Sequence, residues 1–589
     1  MGYNPENPLI VQSDMSVLLE TMGPHYEEAR EFINRFAELT KSPEYLHTYT
    51  ITPLSLWNAA AAGVTLQQIA DGFEKFAKYD VPSNVLAEIR ELLARFGTIK
   101  LVKRDAEGDL MLKCQTLAVA EEICAASAVK EFLGERISDL EILVVPGTRG
   151  RLKQALIKQG FPVEDLAGFL DGDPLEVQFR DVTVKGRPFS IRGYQREAAE
   201  LFYCGGAATG GSGVLVLPCG AGKTVIGITA MTLVKQKTLI LTTNVTALRQ
   251  WISEILDKTT LEKEMVGEYS GERKDICPVT VSTYQILTYR DRKTDEHPHL
   301  NLFEAHNWGL IVYDEVHMLP APVFRAVADI QAKRRLGLTA TLVREDGKED
   351  DVFSLIGPKR YDKPWKELES QGYIAEATCT EIRVPMSNEL KLQYAVADLR
   401  AKYRLSMENP MKLYVIRQLL ERHKTDRILI IGQYLGQLAE IEKMTQAPII
   451  TGQTPHSERD EIFARFKTGE IRILIVSKVA NFAIDLPDAN VAIQVSGTYR
   501  SRQEETQRLG RVLRPKADGG GAWFYSVVTK DSKDQECARK RSMFLTEQGY
   551  RYVIEVIDDI EIESQSPVGH ISEELLSDSE NQKVTTRVV

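Results

Sequence analysis

The chain has little of what marks a secreted, metal-stapled or membrane-spanning protein. Its seven cysteines (Cys114, Cys124, Cys204, Cys219, Cys277, Cys379 and Cys537) include no C-x-x-C pair. That absence argues against a disulfide framework and a structural zinc, and fits a reducing cytoplasm. No apolar run is long enough to span a bilayer. No Lys or Arg precedes Arg30, which speaks against a secretory or mitochondrial leader. The expected setting is therefore cytoplasmic, with no membrane partner. At 43% hydrophobic and 26% charged, the 589 residues are neither disordered nor membranous. Such a length suggests roughly three or four domains, each able to bury its own core.

Positive charge is outnumbered overall, with 73 Lys and Arg against 83 Asp and Glu. The formal net charge is −10, but it is unevenly placed: Asp558 to Val589 holds eight acidic residues against Lys583 and Arg587. Net charge governs solubility and non-specific binding, not the sign inside one groove. It does not exclude a polyanionic partner.

Four pieces follow from the texture of the chain, with boundaries at 1–186, 187–375, 376–560 and 561–589. The first mixes helical patterns (Tyr26 to Thr40, Leu86 to Phe96, Thr116 to Leu133, and a periodic stretch from Gly150) with short strands such as Ile142–Val145. It reads as an α+β accessory domain. Beyond Phe189, short β-branched runs alternate with amphipathic helices. Val214–Leu217, Thr238–Leu241, Val279–Ser282, Leu310–Tyr313 and Leu336–Thr339 predict buried parallel strands. A second series comprises Arg427–Ile431, Ile471–Val476, Val491–Val495 and Trp523–Val528. Two doubly wound α/β domains are implied, with ligands at the carboxyl ends of their strands. Between the series lies a polar, helix-rich connection, about 389–423, broken at Asn409-Pro410. The acidic, Ser-rich tail is expected to be disordered.

Leu215 to Val225, LVLPCGAGKTV, is built to hold a nucleotide phosphate. Backbone N–H groups around Cys219, Gly220, Ala221 and Gly222 can approach phosphate oxygens. Lys223 reaches the β/γ-phosphates, and the Thr224 hydroxyl ligates Mg²⁺. The following helix N-terminus adds a field that favours an anion. Leu217 stands where the first Gly of G-x-x-x-x-G-K-[ST] is expected, so Gly220 and Gly222 must supply the backbone freedom.

Downstream, the strand Leu310–Tyr313 delivers Asp314 and Glu315 at its tip. In such an arrangement the first carboxylate positions Mg²⁺ and the second orients and deprotonates the attacking water. The bland reading, two acids capping a helix, loses force beside a phosphate loop. Thr339-Ala340-Thr341 ends another strand, and its hydroxyls are placed to bridge a nucleotide site to a nucleic-acid groove. Upstream, Gln195 is suited to read an adenine edge, with Arg192 or Tyr194 packed near the base. In the second α/β domain, Arg508, Arg511 and Arg514 follow Gln507 at helical spacing and can share one face. Arginines supplied across a cleft stabilise charge on a transferring phosphoryl group.

The ordered set RGYQ, LPCGAGKT, STY (Ser282–Tyr284), DEVH, TAT, the Lys478–Asp485 segment and QRLGRVLR resembles that of superfamily 2 helicases. LGLTATLVRED, SLIGPKRYD, SKVANFAIDLPDANVAIQVSG and QRLGRVLRPKADGG are similar to the XPB family, as are FYSVV and FLTEQGY. PLIVQSD and HTYTITPLSLWNAAAAG resemble bacterial members with a compact accessory domain. The resemblance implies two recombinase-A-like domains that clamp ATP and Mg²⁺. Lys223, Thr224, Asp314 and Glu315 stand on one side, and Gln507, Arg511 and Arg514 on the other. It implies 3′→5′ stepping along DNA at a fork or bubble, in a repair setting such as nucleotide excision repair, with a nucleoid-associated location and a nuclease as one candidate partner. Thr283, Thr339, Thr341, Arg344, Glu345, Asp346 and Lys478 would contact nucleic acid or couple it to ATP, with Arg344-Glu345-Asp346 helping to separate strands. The connection at 389–423 is similar to the family's DNA-gripping thumb, and the accessory domain to one that senses distorted DNA.

Two rival readings stand beside this. A double-stranded DNA translocase that remodels protein–DNA complexes would use the same ATPase parts. A non-catalytic scaffold would not need a competent residue at every ATPase position. An RNA helicase fits less well, because the carboxylate element reads Asp-Glu-Val-His.

Overall fold

The structure, a computed structural model, describes residues 3–41, 45–104, 109–207, 210–218, 220–290, 297–320, 323, 326–327, 333–340, 349–363, 365–373, 376–477, 489–497, 521–547, 550, 552–557 and 584–588. They fall into two units, residues 1–38 with 48–363, and residues 39–47 with 364–589. Apart from residues 39–47, the accessory residues and the first α/β domain thus share one unit.

The accessory part begins with β1 (Leu9–Val11) and β2 (Ser16–Glu20), paired antiparallel, then helix α1 (Tyr26–Ile33). Next come β3 (Glu38–Lys41), β4 (Leu46–Thr50) and helices α2 (Pro53–Ala61), α3 (Leu66–Phe76) and α4 (Ser83–Arg95). The helix expected over Tyr26–Thr40 ends at Ile33, so nearly half of it is corrected to a turn and a strand. Phe36 leaves the helix to meet Phe32 and Phe73 edge-on, with ring centroids 5.1 and 5.6 Å away. Aromatic packing outweighs helix continuation there. Thr52 and Thr65 start their helices with reciprocal capping boxes.

A second accessory layer has β5 (Ile99–Lys103), β6 (Leu110–Cys114), β7 (Leu133–Arg136), β8 (Glu141–Val144) and β9 (Val163–Asp165), in the order β7-β8-β6-β5-β9. Helices α5 (Leu117–Ala125), α6 (Ser127–Lys130) and α7 (Arg149–Lys158) accompany it. The helix expected from Thr116 to Leu133 is interrupted at Ala126, whose extended φ/ψ of −71° and 110° ends α5. Trp57, Ile157 and Phe353 form one apolar cluster, and the Asn58 side-chain oxygen accepts the Lys359 backbone N–H at 3.0 Å. These contacts fasten the accessory part to the first α/β domain.

That domain is a seven-stranded parallel sheet in the order β12-β13-β11-β14-β15-β10-β16. Its strands are β10 (Ser212–Val216), β11 (Thr238–Thr242), β12 (Val266–Tyr269), β13 (Val279–Thr283), β14 (Leu310–Asp314), β15 (Arg334–Thr339) and β16 (Lys359–Asp362). Central β10, β11 and β14 are buried along nearly their whole length, as continuous apolar runs in a two-sided parallel sheet must be. Helix α8 (Gly193–Tyr203) leads into β10, and α9 (Lys223–Val234) and α10 (Val245–Lys258) cross over between strands.

The second unit holds an eight-stranded sheet in the order β19-β20-β18-β21-β22-β17-β23-β24. The ranges are β17 (Ala377–Val384), β18 (Ile428–Ile431), β19 (Ile449–Ile450), β20 (Ile473–Val476), β21 (Val491–Gln494), β22 (Ala522–Thr529), β23 (Tyr552–Ile557) and β24 (Val584–Val588). All pairs are parallel except β23 with β24. Within the tail, residues 558–583 and 589 lie outside the described residues. The β-branched Val584–Val588 adds an antiparallel edge strand that the sequence reading does not foresee. Between β17 and β18 stand helices Asn388–Val396, Leu399–Met407 and Met411–Arg422, matching the helical connection expected at 389–423. Its break falls where Asn409 is buried, donating to the Pro385 carbonyl at 3.0 Å.

Candidate nucleotide site at the strand tips

β10 ends at Val216, and the Leu217 N–H still donates to the Thr339 carbonyl, 2.9 Å away. The chain then turns through Gly220 and Gly222, with φ of 85° and 79°, into α9. Gly222 is required twice over. Its left-handed backbone penalises any side chain, and a Cβ there would lie 2.5 Å from the Gln195 Nε2.

The loop is held from beneath by the start of α8. Tyr194 Oη and Gln195 Nε2 both donate to the Ala221 carbonyl, at 2.6 and 3.0 Å. Gln195 Oε1 accepts the Arg192 backbone N–H at 3.1 Å, and the Arg192 guanidinium donates to Tyr194 Oη at 3.2 Å. The structure therefore ties Arg192, Tyr194 and Gln195 to the loop backbone, a contact that sequence reading did not foresee.

Across the loop, β14 places its two carboxylates. Lys223 Nζ lies 3.5 Å from Glu315 Oε1. Glu315 is left-handed (φ 49°), an uncommon conformation for a residue with a side chain and one that turns the chain sharply off the strand. Burial pushes its carboxyl up, but Lys223 and then His317 outweigh this and hold it below the ordinary glutamate value. Asp314 goes the other way. Burial, and next the Glu315 charge, push it up to about 6 against the Trp251 hydrogen bond and Lys223. Two adjacent carboxylates with divergent protonation equilibria are a feature of functional sites.

His317 links this pair to β15. Its Nδ1 is 2.7 Å from Thr339 Oγ1 and 3.5 Å from Glu315 Oε2. Thr339 and Thr283 are both buried, and Thr283 Oγ1 accepts the Ile286 N–H at 3.4 Å as a helix cap. Thr224 is half-buried at the first turn of α9. Cys219, Thr341, Arg344, Glu345, Asp346, Lys478, Gln507, Arg511 and Arg514 lie outside the described residues. His317 and Trp251 are the site neighbours absent from the sequence-based set. The DEVH tetrapeptide carries a signal for the first, and nothing local marks the second.

Thr224 and Asp314 offer the hard oxygen donors that Mg²⁺ prefers. The buried Glu315 carboxylate, facing Lys223 and His317, offers an acceptor for a polar guest. The donor chemistry thus fits a magnesium nucleotide. Glycine loop, helix and twin carboxylates at the tips of a parallel sheet define a class, the phosphate-loop motor ATPases that include the superfamily 2 helicases.

Comparison with known proteins narrows the class. The family described as "ERCC3/RAD25/XPB C-terminal helicase" matches residues 368–586, and "Type III restriction enzyme, res subunit" matches residues 188–344. "Helicase conserved C-terminal domain" matches residues 9–138, within the accessory part. The chain is 52% identical over 555 residues to "DNA 3'-5' helicase XPB" of Mycobacterium tuberculosis, covering 94% of this chain and 99% of that one. It is 51% identical to the protein so named in Kineococcus radiotolerans, covering 94% and 98%. It is 33% identical, covering 94% and 93%, to the "General transcription and DNA repair factor IIH helicase/translocase subunit XPB" of Enterocytozoon bieneusi. The chain belongs to the XPB family of superfamily 2 DNA helicases.

Proposed function

We propose that the protein couples ATP hydrolysis to 3′→5′ movement along DNA and to strand separation during repair. The observation that carries this reading is the cluster at the strand tips, where Lys223 and Glu315 stand 3.5 Å apart beside Asp314 in a chain of this family. Lys223 would contact the β/γ-phosphates, with the backbone of Cys219, Gly220, Ala221 and Gly222 around them. Thr224 and Asp314 would hold Mg²⁺, which when bound supplies charge neutralisation on the phosphates. An arriving γ-phosphate would compete for Lys223, freeing Glu315 to take the proton of the attacking water. Arg192, Tyr194 and Gln195 would border the base, and Thr283, Thr339, Thr341 and Lys478 would serve DNA contact or coupling. DNA is the partner, and a repair nuclease is a further one under this proposal. Among the described residues no helix is long and apolar enough to cross a membrane.

Arg511 and Arg514, with Gln507, would reach ATP from the second α/β domain. Arg511→Ala and Arg514→Ala should each lower turnover far more than ATP affinity, by up to ~10³-fold or more for a true finger. Unchanged turnover in both variants would assign that helix face to DNA or solvent.

The strand-separating element tests helicase against bare translocase. Replacing Arg344, Glu345 and Asp346 together by alanine should leave DNA-stimulated ATPase in place, because Lys223, Asp314 and Glu315 are untouched. Displacement of the strand from a 3′-tailed duplex should fall steeply. Parallel decline of both activities would make the triad part of the motor, and no change in either would make it a solvated turn.

A further inference from the structure

Trp251 sits in the middle of α10, 1% exposed, with its ring against the face of α9. The contact is close enough that a Cβ on Gly227 would come 2.5 Å from the indole ring. A buried indole N–H needs an acceptor. The acceptor here is not a backbone carbonyl of the core but the carboxylate of Asp314: Nε1 donates to Oδ2 at 3.0 Å. The other oxygen, Oδ1, accepts the Glu315 N–H at 3.1 Å, and the Asp314 carbonyl accepts Tyr284 Oη at 3.0 Å. Among the described residues each carboxylate oxygen thus has one bond to the protein and keeps further lone-pair capacity. The two donors approach different oxygens, so together they fix the plane of the carboxyl group and its rotamer.

α10 is itself pinned at its start. Asn244 caps it by accepting the Ala247 N–H at 2.9 Å, and Thr242 Oγ1 donates to the Asn244 and Ser282 carbonyls at 3.2 and 3.1 Å. Trp251 thus reaches Asp314 from a rigid helix seated on the tips of β11 and β13, not from a mobile loop. A donor on a fixed scaffold that bonds a metal-positioning carboxylate sets its orientation and tunes its basicity.

We propose that Trp251 is a positioning residue for ATP turnover, its indole N–H holding Asp314 in the orientation that receives the nucleotide-bound divalent cation. The inference rests on the reading of Asp314 as a Mg²⁺-positioning carboxylate given above.

The test uses the full chain with two replacements at one position. Trp251→Phe keeps an aromatic ring on Gly227 and removes the N–H. Replacement of Trp251 by 3-benzothienylalanine keeps the two-ring shape and exchanges only N–H for sulfur, so it reports even if the phenylalanine variant folds poorly. Mn²⁺ titration in the presence of ADP, read by electron paramagnetic resonance, gives cation affinity without turnover. Both replacements should weaken Mn²⁺ binding by roughly 10–100-fold. ADP affinity measured in EDTA should be unchanged, and the Mg²⁺ concentration for half-maximal ATPase should rise in parallel. Wild-type Mn²⁺ affinity and Mg²⁺ dependence in the benzothienyl protein would overturn the inference and leave the N–H a satisfied core donor. Asp314→Asn is the control: Mn²⁺ binding as in wild type would defeat the reading of Asp314 itself, whatever Trp251 does.

Discussion

Glu315→Gln should yield a protein that binds ATP and DNA but hydrolyses ATP at a rate reduced by ~10²–10⁴-fold, the usual contribution of a positioned general base. The substitution is nearly isosteric, so the left-handed turn at residue 315 is retained. It weakens the Lys223–Glu315 pairing by removing the carboxylate charge, so an incoming phosphate competes less with that side chain for the ammonium, which favours ATP retention. It also removes the neighbouring negative charge that pushes the Asp314 carboxyl up. Asp314 in the variant should therefore ionise at lower pH, and cation binding should improve near pH 6. The signature is a long-lived, ATP-dependent complex with DNA, read by gel shift or anisotropy beside a phosphate-release assay. Weak ATP binding in this variant would mean that Glu315 holds the loop together and does not activate water.

Lys223→Ala should abolish ATP turnover in a protein that still folds and unfolds cooperatively. Among the described residues the side chain belongs to no apolar core cluster, and an ion pair joins it to Glu315. Deleting it removes the charge that meets the transferred phosphate, an effect of at least ~10²–10³-fold for a single electrostatic donor. Glu315 is then left buried without its cation, so its carboxyl should rise from the depressed value it has beside Lys223. Near-normal hydrolysis in a cooperatively folded Lys223→Ala protein would remove this loop from the ATP site.

Much of this architecture is legible in the sequence because buried parallel strands are written as short β-branched runs. All five strands expected in the first sheet form, within about two residues, and so do all four expected in the second. Three of the unforeseen strands are of a different texture, whereas β23 (YVIEVI) and β24 (VTTRV) are β-branched runs outside the expected series. β12 (VGEY) and β16 (KRYD) lie at the sheet edges, where half-polar sequences suffice, and β17 (ATCTEIRV) alternates charge and apolar residues. The accessory helices are over-extended in sequence because periodicity at Phe36 and Val129 persists past the residues where tertiary contacts end them.

The site divides in the same manner. Lys223, Asp314 and Glu315 are legible because phosphate chemistry demands those residue types at strand tips. The role of Gln195 and Tyr194 in clasping the Ala221 carbonyl is not, since it depends on how α8 meets α9 in space. Trp251 is the extreme case. Its sequence neighbourhood, LRQW in an amphipathic helix, carries nothing beyond core packing, and only the register of α10 against β14 brings its N–H to Asp314.

The central claim, that this ATP site drives strand separation with 3′→5′ polarity, is tested most directly by strand displacement. A labelled duplex with a 3′ single-stranded tail and its 5′-tailed counterpart are incubated with the wild-type protein, with ATP and Mg²⁺, beside the Glu315→Gln protein. The account predicts ATP-dependent release of the labelled strand from the 3′-tailed duplex, little from the 5′-tailed one, and none with Glu315→Gln. DNA-stimulated ATPase without release from either duplex would contradict it and point to a translocase that remodels protein–DNA complexes.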